Sequence, residues 1–283
     1  MAAKPSIGIV GPGRLGTALA VELRRAGYKV SEIISRNNAA SKRKAATLAR
    51  RVRAQASTVD DALNADVIWF CVPDREIKKA SHKVVSAIDW KRKIAFHSSG
   101  ALLSDELNIL RREGAAVASI HPMMTFVTGS IPSLDGVPFA MEGDTAAIRA
   151  ARRIVRDLDG EAFTIRRQHK IAYHAWGSFA SPLLVATLVT AEQLAGAAGL
   201  STREARRKMV PIVKQTIANY EMLGPAGAFS GPIVRGDAEI VRKHLQVLKK
   251  VPEAREVYLA LARAAMRYLP AQNRAKLKKA LEE

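Results

Sequence analysis

Read from the N-terminus, the chain alternates short apolar runs with stretches whose apolar residues recur every three or four positions. SIGIV (6–10), YKVSEIIS (28–35), ADVIWFCVP (65–73), KIAFHSS (93–99), AVASIHP (116–122), GVPFAMEG (136–143) and EAFTIRR (161–167) predict strands. Residues 14–26, 39–51, 75–88, 104–112 and 144–158 carry the helical period between them. This rhythm argues for a mostly parallel sheet with helices on both faces. After about residue 166 the strand signals stop, and helical patterns follow at 167–198, 202–222, 237–249, 253–268 and 271–282. STRE at 201–204 is a capping-box signature, Gly199 sits where the preceding helix should stop, and GPAGAFSGPIVRGD at 224–237 is the one long loop. The expected fold is an α/β N-terminal domain with a mostly parallel sheet over 1–166 followed by an all-α domain over 167–283. The most apolar stretch, near 182–200, still holds Thr187, Thr190, Glu192 and Gln193, so it is expected to be a buried helix and not a membrane span.

Composition changes this picture little. Of 283 residues, 48% are hydrophobic and 25% charged, enough for a large core in one or two domains. The opening MAAKPSIGIVGPG has no signal-peptide pattern, and a single cysteine, Cys71, excludes an internal disulfide. A cytoplasmic location follows as the expectation. The charge is unusual, with 45 Lys+Arg against 26 Asp+Glu. The basic residues are dispersed and no aromatic-rich basic motif interleaves them, so a solvated basic surface is expected and nucleic-acid binding is disfavoured.

The clearest chemistry is at the start. IGIVGPGRLG (7–16) places Gly11, Gly13 and Gly16 as G-x-G-x-x-G directly after a strand and before a helix. The first glycine permits a tight turn, the second lets backbone N–H groups approach a pyrophosphate, and the third packs helix on strand. Arg14 and Leu15 open the helix, whose N-terminus favours an anion. A dinucleotide site is expected. Where an NAD site usually ends its second strand in Asp or Glu, this chain has Ser35, Arg36 and Asn37, all three expected at the cofactor. No carboxylate stands there to repel a phosphate, and Arg36 can stack on adenine and pair with a 2′-phosphate while Ser35 hydrogen-bonds to it, so NADP is the expected cofactor. Val72 and Pro73 of CVPD, at another strand end, are expected to line it, while Cys71 is expected to be a packing residue.

FHSSGAL (96–102) brings His97, Ser98 and Ser99 to the ligand side of a strand end, with His97 expected to contact substrate and Gly100 allowing close approach. Two adjacent hydroxyls can orient a carboxamide or a substrate oxygen, or simply cap the next turn. His121 precedes Pro122, which holds it extended and can aim its ring. His97 and His121 lack metal-ligand spacing, so no metal is expected. Arg235 can hold a carboxylate bidentately or tie its loop to the protein, and Asp237 can cap the next helix. In KIAYHAWGSFAS (170–181), Lys170, His174, Ser178 and Ser181 fall on one helical stripe that looks either at solvent or at a substrate.

GPGRLG, CVPD, HSSG, HPMMTF, KIAYHAWGSFAS and GPIVRGD occur in that order. Together they resemble the Rossmann-like proteins carrying the domain of unknown function 2520, within the broad 6-phosphogluconate dehydrogenase-like superfamily. The resemblance covers nearly the whole chain. It implies an NADP oxidoreductase with some kinship to ketopantoate and pyrroline-5-carboxylate reductases, an active site between the two domains, and a homodimer formed through the helical one. Met124 stands where the family pattern often has glutamine, at a substrate-facing place, and Pro182 where it often has asparagine. Lys170 and His174 match the spacing of the Lys-x-x-x-Asn pair of the superfamily's hydroxyacid dehydrogenases, with His in place of Asn. The resemblance thus makes His174 or Lys170 the proton donor and Ser181 an orienting hydroxyl. The resulting expectation is an NADPH-dependent reductase of a small, carboxylate-bearing carbonyl or imine compound. A non-catalytic NADP-binding sensor or interaction protein is the alternative.

Overall fold

The computed structural model describes residues 3–283, so the first two residues of the expected N-terminal domain lie outside it. The chain falls into two compact units, one running to Ser178 and the other from Phe179 to Glu283. The break lies a dozen residues beyond the boundary expected from the end of the strand signals.

The first unit is built on an eight-stranded sheet. In chain order its strands are β1 (Ile7–Val10), β2 (Val30–Ser35), β3 (Gln55–Thr58), β4 (Val67–Phe70), β5 (Ile94–His97), β6 (Ala116–Pro122), β7 (Pro138–Gly143) and β8 (Glu161–Thr164). They lie in the order β3-β2-β1-β4-β5-β6-β7-β8, with β6–β7 the one antiparallel pair. The connecting helices are α1 (Arg14–Arg25), α2 (Ala39–Val52), α3 (Asp74–Val84), the short α4 (Asn108–Arg112) and α5 (Thr145–Asp157). Successive strand residues point to opposite faces. Val67 and Trp69 of β4 accordingly join one apolar cluster with Leu19 of α1, Leu48 of α2 and Ile154 of α5. Ile68 and Phe70 join a second with Ile77 of α3 and Leu110 of α4. Both sheet faces are therefore covered by helices, as parallel sheets require.

Strand β3 is the element the sequence pattern did not yield. QAST is polar and two of its four residues are exposed, because it pairs on one side only, at the sheet edge beyond β2. Its pairing with β2, not its own periodicity, makes it a strand.

The unit ends in a helix, α6 (Lys170–Ala180), whose first residues are fastened to the sheet. Lys170 is 2% exposed. Its ammonium donates to the Ser119 hydroxyl of β6 and lies 3.9 Å from the Glu142 carboxylate of β7. Glu142 also accepts from the Ser104 N–H and hydroxyl. This buried pair is why residues 167–178 belong to the α/β unit.

The second unit is helical: α7 (Pro182–Gly196), α8 (Thr202–Ala228), α9 (Ala238–Leu248), α10 (Pro252–Tyr268) and α11 (Arg274–Glu282). The single helix expected over 167–198 is broken at Ser181 (φ −129°, ψ −80°), with Pro182 starting α7, a position where a missing N–H costs nothing. Ser201 and Glu204 form the expected capping box on α8. Gly224 (φ 69°, ψ 177°) interrupts α8, which resumes at Pro225. Apolar residues of α9, α10 and α11 make the core of this unit, including Val241, Ala262 and Leu277. Helix α7 is not buried, contrary to expectation: Leu183, Val185 and Val189 are 45%, 57% and 45% exposed, and Glu192, paired with Arg206, is its one buried residue. The core gathers on α9–α11 and leaves most of the α7 surface outside.

Removing one partner of a buried ion pair strands the other charge. Glu142→Ala is expected to cost about 3–5 kcal/mol in urea denaturation, and the Glu142→Leu/Lys170→Met double variant to recover most of that loss.

Candidate functional site

The strand C-termini of a parallel sheet form its ligand-binding edge. Here β1 runs into the glycine turn. Gly11 has φ 101°, and a Cβ there would come within 2.8 Å of Val72 Cγ1 and 2.9 Å of the Cys71 carbonyl. A Cβ on Gly16 would collide with the Gly11 carbonyl. Both positions demand glycine, as expected, whereas a Cβ on Gly13 would meet nothing nearer than 3.9 Å, so its room is left toward the ligand side. Gly13 caps α1 without any side chain, which leaves the first N–H groups of α1, from Arg14 and Leu15 onward, available to an anion.

A groove of about 390 Å³ opens beside this turn, lined by Gly11, Gly13, Ser35, Arg36, Val72 and Pro73 among others. Cys71 also reaches it but is 8% exposed, and burial holds its thiol well above the usual range, so it stays protonated. Arg36 is exposed. The Ser35 hydroxyl donates to the Arg36 carbonyl (3.2 Å). Asn37 is turned away from the groove: its amide donates to Asp60 (2.9 Å), which corrects its assignment to the cofactor. The groove holds four cations that sequence reasoning did not single out: Lys44 on α2, and Arg75, Lys79 and Lys83 on α3. The last three recur every four residues, one helical turn apart, a spacing that could have flagged them. Ser41 of α2 joins them.

The HSSG segment follows β5. Trp69 Nε1 donates to Ser98 Oγ (2.7 Å), and Ser98 is partly exposed. Ser99 is 3% exposed, and its hydroxyl donates to Asp74 Oδ2 (2.8 Å) while accepting from the N–H groups of Ala101 (3.2 Å) and Leu102 (2.9 Å). His97 is fully buried: its Nε2–H donates to the Leu103 carbonyl (2.9 Å) and its Nδ1 accepts from the Ser99 N–H (3.2 Å). Burial lowers its pKa to about 4. Neither Ser99 as a catalytic hydroxyl nor His97 as a substrate contact survives. Both spend their polar atoms shaping the turn, with Asp74 of CVPD tying it to the start of α3.

His121, at the end of β6, is the residue the structure builds around. Its Nδ1 lies 2.7 Å from the Tyr173 hydroxyl. The two rings stand at 86°, with centroids 5.5 Å apart. The His174 ring is 6.3 Å from that of His121. A Cβ on Gly100 would lie 2.6 Å from His174 Cδ2 and 2.9 Å from His121 Nε2, so glycine is what lets the HSSG turn close on both rings. His121 has a pKa lowered to about 4, by burial first and then by the neighbouring charges of His174 and Lys170. Burial pushes Tyr173 up to about 12. Burial also lowers Lys170, to about 8, against the pull of Glu142 and Asp74.

The polar stripe of 170–181 is therefore not one environment. Lys170 and Tyr173, three residues apart, face inward, whereas His174 is exposed and the Ser178 hydroxyl donates back to the His174 carbonyl (3.0 Å). Lys170 is committed to Ser119 and Glu142, which makes it a clamp and corrects its assignment as proton donor. Tyr173 was missed, although it lies within the same KIAYHAW run. Met124 is 39% exposed just after β6. In the second unit, Ser181 marks the start of α7, and Asp237 caps α9 by accepting from the Ile240 N–H (3.2 Å). Arg235 is exposed, and the backbone, through the Gln272 N–H donating to the Val234 carbonyl (3.1 Å), ties its loop down. Among the described residues no group of three or more His, Cys, Asp or Glu side chains is placed to hold a metal ion.

Residues 1–122 match the Rossmann-like domain and residues 137–265 match the domain of unknown function DUF2520. The chain is a Rossmann-like protein carrying a DUF2520 domain. The resemblance carried by HSSG, HPMMTF and GPIVRGD thus holds. No curated protein matches this DUF2520 chain in sequence. Solved structures share its fold. A candidate NADP oxidoreductase from Bacteroides fragilis has 21% identity over 92% of this chain and 97% of that one, with a TM-score of 0.76. A protein from Thermotoga maritima has 23% identity over 98% of both chains, with a TM-score of 0.72. An imine reductase from Myxococcus stipitatus, in complex with NADP+, has 16% identity over 93% of this chain and 94% of that one, with a TM-score of 0.63.

The low pKa of His97 makes stability depend on pH. Its folded value, about 4, lies below the ordinary 6.5, so the unfolded chain binds the extra proton between those values. Stability is complete above pH 6.5 and falls on acidification toward pH 4, by up to about 1.4 kcal/mol per pH unit for this group. His97→Gln is expected to reduce that slope in urea denaturation at pH 4.5, 5.5 and 6.5 without abolishing it, because His121 has the same low pKa; an unchanged slope would mean that His97 charges as readily folded as unfolded.

Proposed function

We propose that this protein is an NADPH-dependent reductase of a small carbonyl or imine compound bearing a carboxylate, a class that includes ketopantoate-like 2-oxo acids. The observation that carries the reading is the glycine turn opening onto a groove in which Arg36 stands where an NAD site has a carboxylate. The groove suits the cofactor on its own terms: two obligatory glycines, an uncapped helix start for the pyrophosphate, and Arg36 with Ser41 and Lys44 for a 2′-phosphate. The NADP+ held by the Myxococcus imine reductase, on the same fold, supports that choice.

Bound there, NADPH supplies a hydride. Reduction adds that hydride to the carbon of the C=O or C=N group and a proton to its oxygen or nitrogen. His121 and His174 meet at Gly100, two residues after the partly exposed Ser98, and these three side chains would receive the reacting group; His174, being exposed, can exchange the proton with solvent.

Titration of the protein with NADPH and NADH by calorimetry is expected to show NADPH binding more tightly. Arg36→Ala is expected to erase roughly 10- to 100-fold of that preference, the worth of one or two charge-assisted hydrogen bonds. NADPH oxidation with a panel of 2-oxo acids and cyclic imines then tests the chemistry. Selective binding without turnover of any member would favour the sensor reading.

We also infer a homodimer formed through the helical unit. On α8, Ile212, Met222 and Leu223 are 68%, 73% and 57% exposed, beside the bare face of α7, and monomers rarely leave so large an apolar surface open. The stretch 167–196 is also long and apolar enough to cross a membrane by length and composition, but its first turn carries the Lys170 clamp. Light scattering after size exclusion is expected to give twice the chain mass, and Ile212→Glu with Met222→Glu to give the monomer. Flotation of the wild-type chain with lipid vesicles would count against this reading.

A further inference from the structure

The mechanism leaves one arrangement unused: a buried phenol bonded to one nitrogen of a histidine whose other nitrogen faces the glycine turn. We propose that Tyr173 holds His121 in the neutral tautomer with its proton on Nε2, making His121 a fixed hydrogen-bond donor to the substrate's carbonyl oxygen or imine nitrogen. Tyr173 is then a positioning residue. The identity of the acceptor rests on the reductase reading; the tautomer does not.

Two arrangements could fill the 2.7 Å gap between the Tyr173 oxygen and His121 Nδ1. If Nδ1 carried the proton, it would donate to the phenol, and the phenol's own hydrogen would need another acceptor. Tyr173 is 6% exposed, and among the described residues His121 is the one hydrogen-bond partner of its hydroxyl. Buried donors go unpaired only at a cost. The phenol therefore donates and Nδ1 accepts. A neutral imidazole has one proton, so it sits on Nε2.

That nitrogen is free for a ligand. It makes no hydrogen bond among the described residues, although the Gly100 backbone packs close to it, so that a Cβ there would stand 2.9 Å away. His121 is partly exposed, so this edge of the ring is the accessible one. The titratable and charged groups packed around it are Tyr173, His174 and Lys170. Burial first, and then the charges of His174 and Lys170, resist a second proton on the ring. His121 thus polarises the bond under attack without giving up its proton. The proton that completes the reduction comes from the other histidine, the exposed His174.

The test is nitrogen-15 spectroscopy of the full chain labelled at histidine, with His121→Gln used to assign the His121 ring. Between pH 5.5 and 8, His121 is expected to show a protonated Nε2 and a bare Nδ1. Tyr173→Phe, which keeps the ring and removes the hydroxyl, is expected to give a mixture of both tautomers, a loss of roughly fivefold or more in preference. A proton on Nδ1, an imidazolium at pH 7, or an unchanged tautomer in Tyr173→Phe would overturn the proposal. None of these readouts needs a substrate, so a failure here is separate from a failure of the reductase reading, which NADPH oxidation decides. With a 2-oxo acid or cyclic imine that is turned over, Tyr173→Phe is expected to lower kcat roughly five- to tenfold at nearly constant KM. A rise in KM alone would mean that the hydroxyl only shapes the binding site.

Discussion

The buried contact of Lys170 with Ser119 and Glu142 holds the candidate site together. Two charges taken out of water recover their solvation only through good geometry and further hydrogen bonds, so such a pair is a poor device for raising stability. Its effect here is positional. Ser119 and Glu142 face each other across the antiparallel β6–β7 pair, and Lys170 anchors the first turn of α6 to both. Three residues further on, the same helical face delivers Tyr173 to His121, and the next residue is His174. Ser119 also donates to the carbonyl of Ser99, so the clamp reaches the HSSG turn as well. One buried ammonium thus fixes the helix, the strand end and the turn relative to one another.

The turn has its own cross-link. Asp74, the first residue of α3, accepts from Ser99, and Ser99 in turn supports Ala101, Leu102 and, through its N–H, the buried His97. CVPD and HSSG, separate in sequence and both at strand C-termini, are in this way one structure. The polar atoms consumed in building it are no longer available for chemistry. A catalytic site needs rigid supports as much as reactive groups, and in this turn two residues that look reactive in sequence, His97 and Ser99, are supports.

Much of the fold was legible because its signals are local. The βα alternation, the glycine turn and the capping box at Ser201 each lie within a dozen residues. Strand β3 was hidden because an edge strand has no buried run of its own. The exposure of α7 was hidden because an apolar sequence says that a surface avoids water but not what covers it. The site was legible only in outline. Gly11, Arg36 and His121 announce themselves by residue type and context. The separation of His97 from His121, and of Lys170 from Tyr173, depends on which atoms meet across 50 residues of chain, and periodicity carries no such information. Both histidines lie at strand ends, yet one closes its hydrogen bonds on backbone and the other on a phenol.

That difference bears on why a strongly basic chain would place a neutral imidazole at its centre. The groove cations Arg36, Lys44, Arg75, Lys79 and Lys83 are fitted to an anionic ligand, where fixed charge adds affinity. In the proposed reduction the reacting group makes another demand, because it gains negative character only as hydride arrives. A donor already carrying full positive charge would bind an anionic substrate in its ground state as readily as it stabilised the transition state, and only the difference between the two speeds the reaction. A neutral N–H in a desolvated corner, held at fixed orientation by Tyr173, exerts little pull before the charge develops and a strong one afterwards. Burial, and after it the charges of His174 and Lys170, keep that donor neutral by raising the cost of a second charge on its ring. The groove cations and the corner around His121 are thus separate environments: charge lines the first, and burial, before any neighbouring charge, sets the protonation state of the ring in the second.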